Sequence, residues 1–189
     1  MRTTIIIALI TLLPISGLFA QEDYSNKFDI KIGTGLGLMG WGDVTVVCFE
    51  NEFNYKANNY FTAAASFGIG RSLGNNNDVF ERHSDYLQGS VNVFVSPFKN
   101  NKRNNFRIGG GYTYIHQATA YIGGIQYEPF YEVRYGKDQY SAHCFTAIVE
   151  NEYKITTRLM IGAKLFCTGN LKDGGAEIVG GLVKFGVVL

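Results

Sequence analysis

The 189-residue sequence is poor in charge and in cysteine, and each deficit excludes a class of protein. Only 17% of the residues are charged and the net charge is +1, so the basic surplus typical of nucleic-acid binding is missing. Low charge with 14% aromatic residues also argues against a disordered chain. The three cysteines form no Cys-x-x-Cys pair, which excludes a zinc ribbon and a disulfide-stapled mini-domain. Beyond residue 20 no apolar stripe has helical spacing, so almost no helix is predicted.

The first twenty residues are typical of a secretory signal peptide. Arg2 supplies the positive start, the apolar run from Ile5 to Leu13 is broken by Pro14, Ser16 and Gly17, and Ala20 precedes a polar segment. This run is shorter than the roughly 20 apolar residues that a membrane-spanning helix needs. We therefore predict a signal peptide over residues 1–20, a short periplasmic lead over 21–27 and a folded domain over 28–189.

The rest of the chain has the period of two that is typical of β-strands. Alternating segments are separated by clusters of Gly, Asn, Asp and Lys. The eight predicted strands cover residues 28–38, 44–55, 60–70, 86–95, 105–115, 142–153, 158–168 and 177–189. A strand of about eleven residues, tilted by about 40°, rises roughly 28 Å, which is close to the ~25 Å apolar band of an outer-membrane barrel.

The two faces of each predicted strand differ in charge. In the first strand Phe28, Ile30 and Ile32 share one face, whereas Asp29 and Lys31 lie on the other. Across the eight strands the apolar face carries no charged residue. The nine charges on the opposite face are Asp29, Lys31, Glu50, Glu52, Arg107, Glu150, Glu152, Lys164 and Lys184. Because a Lys or Arg facing lipid at mid-depth costs about 2–4 kcal/mol, we interpret the apolar face as lipid-facing and the charged face as lumenal.

The connections between strands alternate in length. The first, third, fifth and seventh tend to be long, whereas the second and sixth have four residues. This alternation is typical of membrane barrels, whose periplasmic turns are short and whose outer loops are long. The fourth connection, residues 96–104, is longer than a turn requires and is basic at Lys99, Lys102 and Arg103.

Over residues 25–189 this pattern resembles small eight-stranded outer-membrane β-barrel proteins of the OmpX and OmpA membrane-domain type. The resemblance implies an all-β fold, an eight-stranded antiparallel up-and-down transmembrane β-barrel, located in the cell outer membrane after export. It also implies that the barrel-assembly machinery reads the alternating apolar residues of the last strand, Val183, Phe185, Val187 and Leu189. The expected partners are outer-membrane lipid, this machinery and a surface protein; no nucleic acid and no cofactor are expected.

The nine lumenal charges are predicted to form a salt-bridged plug, because eight strands enclose only enough room for side chains. The predicted pairs are Lys31 with Glu50 or Glu52, Arg107 with Glu150 or Glu152, and Lys164 beside that second acidic pair. The alternative is an ion path or a narrow water-filled channel, since many lumenal positions are glycine. The sequence Glu50-Asn51-Glu52-Phe53 recurs as Glu150-Asn151-Glu152-Tyr153, four strands later.

The longest connection contains a candidate surface-binding hairpin. Gly123 and Gly124 separate two alternating stretches, which predicts a tight two-residue turn and a ribbon that extends the fifth and sixth strands above the membrane. Tyr127, Tyr131 and Tyr135 share one face of this ribbon. Its edge is predicted to capture another protein by strand addition; the alternative is a hairpin folded over the barrel mouth.

Candidate catalytic residues are few. Glu81, His83, Ser84 and Asp85 are sequence neighbours, whereas the members of a catalytic triad usually come from different elements. His116 and His143 lie at the outer ends of neighbouring strands, where a pH-sensitive pair is an alternative. We expect no catalytic residue and no metal site.

The sequence therefore predicts an integral outer-membrane β-barrel with a plugged polar lumen and a structural, envelope-stability or surface-adhesion role without catalysis. An envelope lipid-modifying enzyme or a narrow channel of the same barrel size is the first alternative. A secreted, soluble, lipocalin-like ligand-binding barrel is the second, and it requires the opposite polarity of the two strand faces.

Overall fold

The computed structural model describes residues 27–40, 44–73, 83–126, 132–172 and 176–189. These residues form eight strands: β1 Phe28–Met39, β2 Val44–Lys56, β3 Phe61–Ser72, β4 His83–Val95, β5 Asn104–Gln126, β6 Glu132–Lys154, β7 Leu159–Asn170 and β8 Ala176–Val188. Each strand pairs antiparallel with its neighbours in sequence, and β8 closes the barrel against β1. The predicted fold class is therefore confirmed. The predicted signal peptide lies outside the described residues.

The strands form where apolar and polar residues alternate, because one face of each strand contacts an apolar surrounding and the other face lines the lumen. Six strands have 12 or 13 residues. The other two, β5 and β6, have 23 residues each. The predicted extension of the fifth and sixth strands is thus confirmed. No helix in the described part of the chain is long and apolar enough to cross a membrane.

The predicted turn at Gly123 and Gly124 is wrong. Pairing of β5 with β6 continues to Gln126 opposite Glu132, and the register shifts between Ile122 and Gly124. A Gly-Gly pair inside an alternating run suits a β-bulge as well as a hairpin turn, since both need a residue that tolerates unusual backbone angles. The connection between the two strands is therefore residues 127–131, outside the described part of the chain.

The barrel is apolar outside and charged inside. Ile32, Val91 and Phe185 expose 62%, 64% and 58% of their surface on the outer face. Asp29 and Arg107 expose 1% or less. A water-soluble barrel has the reverse polarity, so the predicted lipid-facing assignment of the apolar face is confirmed and the lipocalin-like alternative is wrong.

One seam of the barrel requires glycine. A Cβ atom on Gly35 of β1 would collide with the backbone carbonyl oxygen of Gly181 on β8. By contrast, a Cβ atom on Gly89 of β4 would meet nothing within 4 Å. The glycine at position 35 thus allows the first and last strands to approach closely where the barrel closes.

Candidate functional site

The lumenal charges converge because the repeated Glu-Asn-Glu sequence stands on two opposite walls. Strands β2 and β6 lie four strands apart in a barrel of eight. Alternation turns Glu50 and Glu52 of β2 inward, and it does the same for Glu150 and Glu152 of β6. All nine charged residues predicted to face the lumen are buried there. Most belong to the ends of their strands that join the short turns, so the cluster fills the periplasmic half of the barrel.

Arg107 of β5 is the centre of this ionic cluster. One of its terminal nitrogens, Nη2, lies 2.6 Å from Glu52 Oε1 and 2.8 Å from Glu150 Oε2. The same nitrogen is 3.1 Å from Glu152 Oε1. The other, Nη1, donates to the Asn54 side-chain oxygen at 2.8 Å. A single guanidinium therefore joins carboxylates from both acidic walls and still has a second terminal nitrogen for Asn54, as its five N–H groups allow.

The lysines of β7 and β8 contact the acidic pair of β2. Lys164 Nζ lies 2.7 Å from Glu50 Oε1. Lys184 Nζ lies 3.0 Å from that same oxygen and 2.6 Å from Glu52 Oε2. Lys164 lies beside the second acidic pair as predicted, since it is the register partner of Glu150, but its ammonium contacts Glu50 of the first pair. The reason is competition, since Arg107 already bonds Glu150.

Lys31 links the cluster to the periplasmic rim. Its ammonium donates to Glu152 and lies 3.6 Å from Glu52, which is one of its two predicted partners. It also lies 3.5 Å from Asp29. Asp29 in turn pairs with Lys56 at 3.1 Å, a partner that the sequence analysis missed. With Lys56 included, these ion pairs join five acidic and five basic side chains, and Lys154 lies buried beside them.

A belt of hydroxyl groups lies above the ionic cluster. Ser90 of β4 contacts Thr113 of β5 at 2.8 Å, and Thr113 contacts Thr146 of β6 at 2.6 Å. The belt ends on β7, where Thr168 lies 2.9 Å from Thr146. A hydroxyl both donates and accepts, so each member satisfies its neighbour without a net charge.

The outer half of the lumen contains a layer of buried apolar side chains, which the sequence analysis missed. The side chains that fill it near the outer ends of the strands are buried: Met39, Val46, Cys48, Tyr86, Ile115, Ala142, Cys144 and Ile178. The signal for this apolar layer was present, since residues 46–48 are apolar on both faces of β2. Polar and apolar residues stop alternating along a strand where the lipid outside and the side chains packed inside are both apolar.

The remaining candidate residues are separated. His83 is exposed, whereas Ser84 is turned into the lumen and contacts Thr119 at 2.8 Å. Adjacent residues of a strand point to opposite faces, so these two side chains form no nucleophile and base pair. Asp85 lies 3.8 Å from Arg71 on the surface. Glu81 lies outside the described residues, which contain no group of three or more potential metal ligands.

The two outer histidines have separate partners. His116 lies 2.8 Å from the Ser141 hydroxyl, and His143 is bonded to Tyr112. Cys48, Cys144 and Cys167 are free thiols, with only Cys167 on the outer face. Of the predicted surface-binding tyrosines, Tyr127 and Tyr131 lie outside the described residues. Tyr135 lies in β6, but its side chain is not described.

Known proteins match this chain in structure but not in sequence. No family model and no curated protein sequence matches it significantly. The attachment invasion locus protein Ail of Yersinia pestis aligns with 86% of this chain and 97% of its own, at 13% identity and a TM-score of 0.57. The outer membrane protein OprG from Pseudomonas aeruginosa aligns with 90% of this chain and 99% of its own, at 9% identity and a TM-score of 0.58.

A major outer membrane protein from Thermus thermophilus covers 85% of this chain and 98% of its own, at 10% identity and a TM-score of 0.58. At this level of identity the matches establish the fold, which is that of small outer-membrane β-barrels. The fold and the apolar exterior together identify the chain as an outer-membrane β-barrel protein.

Proposed function

We propose that this protein is a non-catalytic outer-membrane barrel with a plugged lumen and a structural role in the cell envelope. The observation that supports this most strongly is the layered interior. An ion entering from the periplasm meets the ionic cluster, in which each paired ammonium and the guanidinium already contact carboxylates. It then meets the buried apolar layer. Hydrophobic constrictions exclude water and ions from pores, so the two layers in series favour a closed barrel.

The proposal includes the route by which the chain reaches the membrane. A signal peptide over residues 1–20 would direct export, and the apolar alternation of β8 would be read by the barrel-assembly machinery. The absence of catalysis is part of the same proposal. It is supported by the opposite orientations of His83 and Ser84 on β4.

We expect the purified, refolded protein to show no discrete conductance steps in a planar lipid bilayer. The same preparation should migrate differently on a gel with and without boiling, as a folded membrane barrel does. A soluble protein standard and a known open porin, run in parallel, provide the two controls. Reproducible steps that change when Glu150→Gln is introduced would reject the plug and support the narrow channel.

Surface adhesion is a second candidate role, and a specific feature favours it. Residues 121–126 of β5 and 132–136 of β6 form a surface ribbon that extends past the last pair of β5 with β4, His83 opposite Ala120. On its second side, β6 is paired with β7 only as far as Cys144, opposite Asn170. Leu171 N–H also donates to the His143 carbonyl oxygen at 3.0 Å, and beyond it the described residues form no further ladder pair with this edge. Unpaired strand edges bind other chains by strand addition, and Ail, which shares this fold, is named for attachment and invasion.

Shortening the surface ribbon should separate the two roles. A variant that replaces residues 121–136 with a two-residue turn joins Ala120 to Lys137, which are register partners in the native barrel, and keeps the pairing of β5 with β4. We expect cells displaying this variant to lose most of the attachment that the native chain confers on a protein-coated surface. The boiling-dependent gel shift should persist. If a correctly folded variant attaches as well as the native chain does, the adhesion role is rejected and only the structural role remains.

A further inference from the structure

At the end of the barrel that holds the short turns, the exposed charged side chains of the described residues are all cationic. Residues 53–62, 95–106 and 153–161 contain no Asp or Glu. The cations at this end are Lys27, Lys56, Lys99, Lys102, Arg103, Lys154 and Arg158. At the opposite end the described charges alternate in sign, as in Lys137 beside Asp138. Lys56 and Lys154 belong to the inward side of the rim, so the exposed charge is concentrated in two neighbouring turns.

The larger of these turns, residues 96–103, is called the basic turn here, and it is fixed at both sides. Asn100 is buried and its side chain donates to the Asn58 carbonyl oxygen at 2.7 Å. Ser96 N–H donates to the Tyr60 carbonyl oxygen at 2.8 Å. Arg103 Nε donates to the Lys154 carbonyl oxygen at 3.1 Å. The basic turn therefore bridges the connections on its two sides, which explains why it is longer than a turn between two strands requires.

The backbone of the basic turn holds a lysine in an unfavourable conformation. Lys99 has a φ of 69°, in the left-handed region where glycine or asparagine is normally found. The cost to a residue with a long side chain is about 1–2 kcal/mol. A lysine at such a position adds a cation to the turn at the expense of local stability, and observed backbone outliers of this kind are concentrated at functional positions.

Aromatic contacts fix the level of these cations relative to the membrane. Phe98 exposes 63% of its surface, and its ring centroid lies 6.5 Å from that of Phe106 at the start of β5. The Arg103 guanidinium carbon lies 5.1 Å from the ring centroid of Tyr153, an outward-facing residue at the end of β6. Aromatic side chains at the ends of membrane strands lie at headgroup level. The cations beside these rings are therefore at the depth of lipid phosphates.

We propose that the basic turn, with Arg158 of the neighbouring turn, binds the phosphate groups of anionic phospholipids in the periplasmic leaflet. Clustered Lys and Arg side chains next to a membrane attract anionic lipid by about 1 kcal/mol, or about fivefold in affinity, for each cation. A soluble anion would gain nothing from Phe98 and Tyr153, whereas a phospholipid contacts the rings with its glycerol and acyl region. The inference depends on the proposed membrane location but not on the plugged lumen.

The test compares two triple variants of the full chain in detergent micelles that contain phosphatidylcholine and phosphatidylglycerol. The first carries Lys99→Gln, Lys102→Gln and Arg158→Gln. The matched control carries Arg71→Gln, Lys137→Gln and Lys172→Gln, which remove the same charge from the outer end. Native mass spectrometry counts retained phosphatidylglycerol. We expect the first variant to lose about 100-fold in affinity, the control to retain native affinity, and added salt to weaken binding to the native chain.

Three results would overturn the inference. Equal losses in both variants would mean that only net charge matters, and no loss in either would mean that the turn binds no anionic lipid. Displacement of phosphatidylglycerol by excess inorganic phosphate would indicate a site for soluble anions. The boiling-dependent gel shift reports folding of each variant, and bilayer conductance reports the plug, so failure of this inference is distinguishable from failure of the proposed function.

Discussion

Replacing Arg107 with Met is expected to lower the free energy of unfolding by about 3–5 kcal/mol, the largest effect of any single lumenal substitution. The guanidinium contacts Glu52, Glu150 and Glu152 in a region closed to water. Its removal leaves a surplus of buried negative charge, which costs far more than a lost surface ion pair. Packing adds a smaller loss, because the Arg107 guanidinium carbon lies 3.9 Å from the ring centroid of Phe94.

Urea-induced unfolding in detergent micelles, followed by circular dichroism and by the gel shift, measures this loss. The double variant Arg107→Met with Glu150→Gln should recover a substantial part of it, since one of the unpaired carboxylates is neutralised. Lys137→Met provides the matched surface control, and we expect a change below about 0.5 kcal/mol there. If the single and double variants unfold at the same urea concentration, Arg107 does not hold the carboxylates together and the ionic cluster does not stabilise the barrel.

Strand positions could be predicted because lipid and lumen impose opposite demands on alternating residues. The bounds of β1 and β2 differ from prediction by a single residue each, because Asp29 and Lys31 of β1 and Glu50 and Glu52 of β2 mark the inward face unambiguously. The start of β4 at His83 was missed. The signal fails there because the outer end of a strand leaves the bilayer, where both faces can be polar.

The partners inside the lumen could not be predicted from neighbouring strands. Pairing rules give the register partner, as for Lys164 and Glu150, but long side chains in a narrow barrel reach beyond the next strand. Which carboxylate each lysine contacts then depends on the whole set of charges in the cavity, and Lys31 of β1, which donates to Glu152 of β6, illustrates this. The apolar layer was missed for a related reason, since a lumen need not be polar where its side chains meet only one another.

The assignment of the apolar face to lipid has its own test, a single lysine placed at two depths. Val91 and Val95 share the outer face of β4 and expose 64% and 42% of their surface. Val95 lies at the periplasmic end of the strand, opposite Phe61, the first residue of β3. Val91 is about 13 Å farther along the strand, or roughly 10 Å higher at a tilt near 40°, which brings it close to the middle of the apolar band.

We expect Val91→Lys to lower the free energy of unfolding in lipid vesicles by about 2–4 kcal/mol, and Val95→Lys by about 0–1 kcal/mol. The two variants lose the same side chain and gain the same charge, so their difference isolates depth in the bilayer. Water would solvate a lysine equally well at both positions of an exposed strand face. Equal stabilities for the two variants would therefore mean that water surrounds the barrel, and both the membrane location and the lipid-binding basic turn would have to be abandoned.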